Sequence, residues 1–83
     1  MKLFASCRYA GRCGETHYKD FYSAFLSIDM TTITDENEFY DELTEEMTRH
    51  LIEYEGLDSA HCTILYYRLI KSGFIDGHTV LEL

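Results

Sequence analysis

The strongest constraint on the fold is an amphipathic segment between Thr34 and Gly56. Apolar or aromatic side chains recur in it at spacings of three and four, which is the period of a helix with one buried face. Thr34 is a favourable N-cap residue, and Gly56 suits the left-handed position that commonly follows a helix. The pattern therefore predicts a helix over residues 34–55. Its predicted buried stripe consists of Phe39, Leu43, Met47, His50, Leu51 and Tyr54.

The opposite face of this predicted helix is strongly acidic. Residues 34–58 hold ten carboxylates and a single cation, Arg49, which gives a local net charge of −9 within a chain whose total is −8. One arginine leaves few opportunities for stabilising pairs of opposite charge along the helix. The carboxylates that we expect to face a partner are Glu38, Asp41, Glu42, Glu45, Glu46 and Glu53.

Two segments near the N-terminus predict an antiparallel hairpin. Residues 2–10 and 18–30 alternate between apolar and polar positions, as half-buried strands do. The segment 11–15 contains two glycines and predicts the turn. The side chains expected to face the core are Leu3, Ala5, Cys7, Tyr9, Tyr22, Ala24, Leu26, Ile28 and Met30.

The segment 58–74 is compatible with either a strand or a helix. Thr63, Ile64 and two tyrosines favour a strand, whereas Cys62, Leu65 and Leu69 belong to a helical i, i+3, i+7 pattern. We predict a helix over residues 59–72 and a short final strand over residues 78–83. The 83 residues then form one α+β domain with the order β-β-α-α-β, in which a two-helix hairpin covers one face of a small antiparallel sheet.

Four cysteine and histidine residues are candidates for a small zinc or thiol site. A zinc site would stabilise a domain with a thin core, and cysteine and histidine are the usual ligands. The spacing lacks the paired cysteines of common zinc motifs, so we expect neither a metal nor a cofactor. The candidate residues are Cys7, Cys13, His17 and Cys62.

One short match to a catalytic signature is present in the second half of the chain. The residues from His61 to Arg68 fit the His-Cys-x5-Arg spacing of protein tyrosine phosphatases. That chemistry needs a loop whose backbone amides cradle phosphate, and the five intervening residues contain no glycine. We therefore interpret Cys62 as a small core residue and expect no enzymatic activity.

The first hairpin carries most of the remaining cations. Lys2, Arg8, Arg12 and Lys19, with Tyr9 and Tyr18, could hold a short single strand, or could attract the acidic helix of a second copy in a homodimer. The overall charge of −8 argues against direct binding of nucleic acid or an anionic membrane. A winged-helix-like DNA binder, with 59–72 as its second helix and 76–83 in a wing, is a further alternative.

The profile of the chain is similar to that of small phage-encoded inhibitors, including anti-CRISPR and DNA-mimic proteins. The likeness lies in short length, acidic charge, mixed secondary structure and the lack of a catalytic constellation. Carboxylates along the predicted helix occur about every 3.7 Å, close to the charge spacing of one DNA strand. We expect a cytoplasmic binding protein, acting in the host cytoplasm if viral, that blocks a basic, nucleic-acid-handling protein with its acidic helix.

Overall fold

The computed structural model describes the backbone of residues 1–75 and 78–81 and the side chains of residues 1–70. Its elements in chain order are four strands, a short 3-10 turn and one α-helix. They are β1 (Lys2–Cys13), β2 (Thr16–Ser27), the 3-10 turn Met30–Thr32, α1 (Glu36–Glu53), β3 (Ser59–Ile75) and β4 (His78–Leu81).

The strands form an antiparallel sheet in the order β2-β1-β3-β4. The central strand β1 pairs with β2 on one edge and with β3 on the other, and β4 pairs with the second half of β3. One face of the three-stranded part is covered by α1. The molecule is accordingly thin, with extents of 42 × 34 × 19 Å.

The predicted second helix is wrong, and with it the two-helix hairpin and the order β-β-α-α-β. Residues 59–72 lie within the strand β3, which bonds to the free edge of β1 from Ser59 to Leu69. A bulge interrupts the alternation of inward and outward side chains in this segment. The register with β1 shifts between Ser6 and Cys7, so Leu65 is an extra residue between two alternating halves.

The predicted hairpin and first helix are present, with shifted ends. The turn consists of Gly14 and Glu15, while Gly11 lies inside β1. Asp35, rather than Thr34, is the N-cap of α1, because its side chain accepts the N–H of Glu38 at 2.9 Å. Gly56 adopts the predicted positive φ, at 76°. Of the final strand predicted over residues 78–83, residues 82 and 83 lie outside the described part.

The core lies between α1 and the sheet. Leu43, Met47 and Leu51 of the helix are fully buried against alternate residues of the strands. Gly11 lies at the end of this layer, where a Cβ would lie 2.6 Å from Cδ1 of Leu57 and 3.0 Å from the carbonyl oxygen of Ser59, so a larger residue would displace the Leu57 side chain. The buried residues contributed by the sheet and its connections are Leu3, Ala5, Cys7, Leu26, Ile28, Leu57 and Ile64.

Candidate functional site

The acidic helix face is the set of six carboxylates named from the sequence, and α1 does present them to solvent. The buried residues of α1 recur every four positions, which directs the carboxylates away from the sheet. Five of the six are exposed, and Glu46 is half-buried. The face consists of Glu38, Asp41, Glu42, Glu45, Glu46 and Glu53.

Three of these six carboxylates have structural partners. Glu38 stabilises the start of the helix, since its carboxylate accepts hydrogen bonds from the backbone N–H of Thr34 at 3.1 Å and from the Thr34 hydroxyl at 2.8 Å. Arg49 donates to both Glu46 and Glu53. The hydrogen bond that Arg49 donates to Glu46 is the largest effect, and together with the charges of both acids it raises the pKa of Arg49 above its usual value.

Asp41, Glu42 and Glu45 form the part of the face that no cation neutralises within residues 1–70. They lie on consecutive turns and repel the carboxylates three and four positions away. Such repulsion costs helix stability. The three side chains therefore carry the charge that is available to a partner.

The cysteine and histidine residues do not converge on one site. Cys7 is fully buried in the core beneath α1, and Cys62 of the neighbouring strand lies beside it. Cys13 is exposed at the far end of β1, about 20 Å from Cys7 along the strand. Among the residues that the structure describes, no three His, Cys, Asp or Glu side chains are arranged to hold a metal ion.

The chemistry of the thiols follows from this placement. Burial, with a smaller effect from neighbouring Cys62, raises the pKa of the Cys7 thiol to about 12. A thiol with so high a pKa is neutral at physiological pH and is a poor nucleophile. Cys62 and Arg68 lie in an extended strand, so the residues between them form no phosphate-binding loop. The same strand removes the second helix that a winged-helix-like DNA binder would need.

The structure has a second surface that was not predicted from the sequence. It is formed by alternate residues of three neighbouring strands. The outward positions of β1, β2 and β3 form an open sheet face that α1 does not cover. Phe4 and Phe25 contact each other there with ring centroids 5.1 Å apart, and the hydroxyls of Ser6 and Ser23 are 2.7 Å apart. The sequence signal for this face is the alternation itself, because the even-numbered residues of β1 and the odd-numbered residues of β2 point to the same side of the hairpin.

The open sheet face is both cationic and aromatic. It carries five cations and, through residue 70, no carboxylate at an outward strand position. The Arg68 guanidinium lies 5.6 Å from the ring centroid of Tyr66. Tyr9 and Tyr18, which were predicted to act together with the hairpin cations, lie on the opposite face of the sheet. The principal outward residues are Lys2, Phe4, Arg8, Arg12, Lys19, Phe21, Phe25, Tyr66 and Arg68.

A third feature is an apolar depression of about 430 Å³ beside the start of α1. Phe39 and Tyr67 form part of its wall, with ring centroids 5.3 Å apart. Asp35 and Glu36 also line it, within three residues of Glu38 on the acidic helix face. A cationic side chain with an apolar stem suits this lining.

None of the helices in the described residues is both long enough and apolar enough to cross a membrane. No family model, curated protein or solved structure matches the chain.

Proposed function

We propose that this chain is a non-enzymatic binding protein that inhibits a nucleic-acid-handling partner. The acidic helix face occupies the cationic surface at which that partner holds a phosphate backbone. The inhibitor is of the phage anti-defence type, and the partner is recognised by its basic charge.

Charge segregation is the observation that carries the proposal. The outward face of the three-stranded sheet holds no carboxylate through residue 70, whereas nine of the ten carboxylates in residues 34–58 are exposed on α1 and its flanks. Segregated charge produces a strong local potential on one side of a thin molecule. Such a potential steers association with a surface of opposite sign.

The rigidity of α1 supports the same conclusion. The 18-residue helix is about 27 Å long and is fixed to the sheet by three fully buried residues. Its carboxylates are therefore held at fixed spacing before binding, which reduces the ordering cost of association. Tyr40 adds a further link, because its hydroxyl donates to the carbonyl oxygen of Ile64 at 3.0 Å.

The test is capture of partners from a bacterial lysate on immobilised protein, followed by elution with duplex DNA at constant ionic strength. We expect a basic protein to be retained and then displaced by the DNA, because both compete for one cationic surface. The test variant is Asp41→Asn/Glu42→Gln/Glu45→Gln, which neutralises the unpaired carboxylates and should not retain that protein.

The matched control is Glu15→Gln/Asp20→Asn/Glu55→Gln. It removes the same amount of charge from exposed positions outside the helix, so it should retain the partner. Equal retention by the test variant and the wild type, or a captured protein that DNA does not displace, contradicts the proposed function.

A further inference from the structure

The open sheet face is an unpartnered surface with two kinds of exposed group. Phe21, Phe25 and Tyr66 are 69%, 53% and 40% exposed, and the sheet register places all three on this one face. They lie among five cations. A partner for this face must therefore offer both flat apolar surfaces and negative charge.

The register of the sheet places these groups in successive rows. One row runs across the strands through Phe25, Phe4 and Arg68, and another joins Phe21 to Arg8. Rows on one face of a sheet are about 7 Å apart, because side chains alternate along each strand. These two rows are therefore about 14 Å apart, and the row of Ser23, Ser6 and Tyr66 lies between them. Aromatic rings therefore recur along the face with a guanidinium beside them.

The other end of the face is a cationic depression. A cavity of about 440 Å³ is lined by Arg8, Lys19 and His61, and a neighbouring one of about 260 Å³ by Arg12, His17 and again Lys19 and His61. Neither lining contains an acidic residue. These concavities suit anionic groups such as phosphates.

Pairing of this face with a second copy of itself is disfavoured. A two-fold arrangement would place five cations against five cations, and no outward strand position through residue 70 holds a carboxylate that could lie between them. The three exposed rings offer roughly 250–400 Å² of accessible surface, so most of the roughly 800 Å² that each partner buries in a stable interface would have to come from the cations and hydroxyls of this face.

We propose that the open sheet face binds single-stranded RNA. Bases stack on exposed aromatic rings, and phosphates are held by arginine and lysine, as on other proteins that bind single strands. The Ser6 and Ser23 hydroxyls lie between the two aromatic rows, where they can bond to the ribose 2′-hydroxyl that distinguishes RNA from DNA. Within residues 1–70, five cations lie on this face and the acidic helix face lies on the other side of the sheet, so the net charge of −8 does not describe the field at this face.

The experiment is fluorescence anisotropy with a labelled single-stranded RNA of mixed sequence, at about 0.1 M salt so that the opposite face is screened. We expect saturable binding that weakens as salt rises. Phe21→Ala should reduce affinity about 10-fold or more, since one stacked base contributes roughly that factor. Arg8→Ala should also weaken binding and reduce its salt dependence.

Tyr54→Ala is the matched control, because Tyr54 is 66% exposed at the end of α1 and lies outside the open sheet face. Its affinity should equal that of the wild type. The Asp41→Asn/Glu42→Gln/Glu45→Gln variant should also bind RNA, which separates this inference from the proposed inhibitor function.

Four outcomes overturn the inference. The first is no saturable binding of RNA by the wild type, and the second is unchanged affinity of Phe21→Ala. The third is tighter binding of single-stranded DNA of the same sequence or of duplex RNA. The fourth is a concentration-dependent dimer in sedimentation analysis that Phe21→Ala abolishes, which would assign the face to a second copy.

Discussion

The Leu43→Ala variant is expected to lose about 3–5 kcal/mol of unfolding free energy. Leu43 is fully buried in the layer between α1 and the sheet, and truncation there leaves a cavity in addition to the lost transfer energy. A domain of 83 residues has a total stability of about 4–12 kcal/mol. Urea unfolding followed by circular dichroism should show a midpoint far below that of the wild type, or a chain already unfolded.

Ile52→Ala is the control for this variant, because Ile52 lies on the same helix and is 40% exposed. Its unfolding free energy should change by about 0.5 kcal/mol or less. If both variants lose similar amounts, α1 does not bury its Leu43 face against the sheet.

The Asp41→Lys/Glu42→Lys variant is expected to become more stable while it loses its partner. The change affects three pairs of carboxylates that lie four positions apart, which are 38 and 42, 41 and 45, and 42 and 46. Within each pair it replaces repulsion with attraction. Each pair contributes about 0.2–0.5 kcal/mol in either sense, so the free energy of unfolding should rise by about 1–3 kcal/mol. Affinity for the protein captured by the wild type should fall at least about 100-fold, because like charges then meet at the interface.

The control for the second variant is Glu15→Lys/Asp20→Lys, which makes the same change in net charge on the hairpin. Thermal unfolding and calorimetric titration measure the two quantities. Increased stability with unchanged affinity would mean that the acidic helix face only solvates the helix, and it would remove the basis of the proposed function.

The sequence predicts the hairpin and α1 because each has a strong local pattern. In β1, Leu3, Ala5 and Cys7 alternate with polar or less buried neighbours, and all three are buried. In α1, Leu43 and Leu51 are two turns apart on the buried side. Local periodicity is sufficient where one element meets a single core layer.

The predicted helix over residues 59–72 is wrong for a non-local reason. A helical spacing of Cys62, Leu65 and Leu69 arises because Leu65 is the bulge residue, which displaces the second half of the strand by one position. The free edge of β1 requires a partner for its backbone N–H and C=O groups. That partner is β3, which is distant from β1 in the sequence. A pattern within residues 58–74 cannot express that pairing.

The candidate sites show the same division between local and non-local information. The six carboxylates of the acidic helix face follow from helical spacing, so sequence alone places them on one side. The partners of Glu38, and the pairing of Arg49 with Glu46 and Glu53, depend on side-chain conformation. The open sheet face needs Arg68 and Tyr66 of β3 beside β1, which the predicted helix excluded.

An NMR titration of the isotope-labelled protein with the basic protein that duplex DNA displaces from it will show whether the acidic helix face is the binding surface. We predict that amide shifts are centred on Asp41, Glu42 and Glu45 and that they decrease as salt is added. Shifts confined to the open sheet face, with the helix unaffected, would contradict the assignment of the acidic helix face as the binding surface.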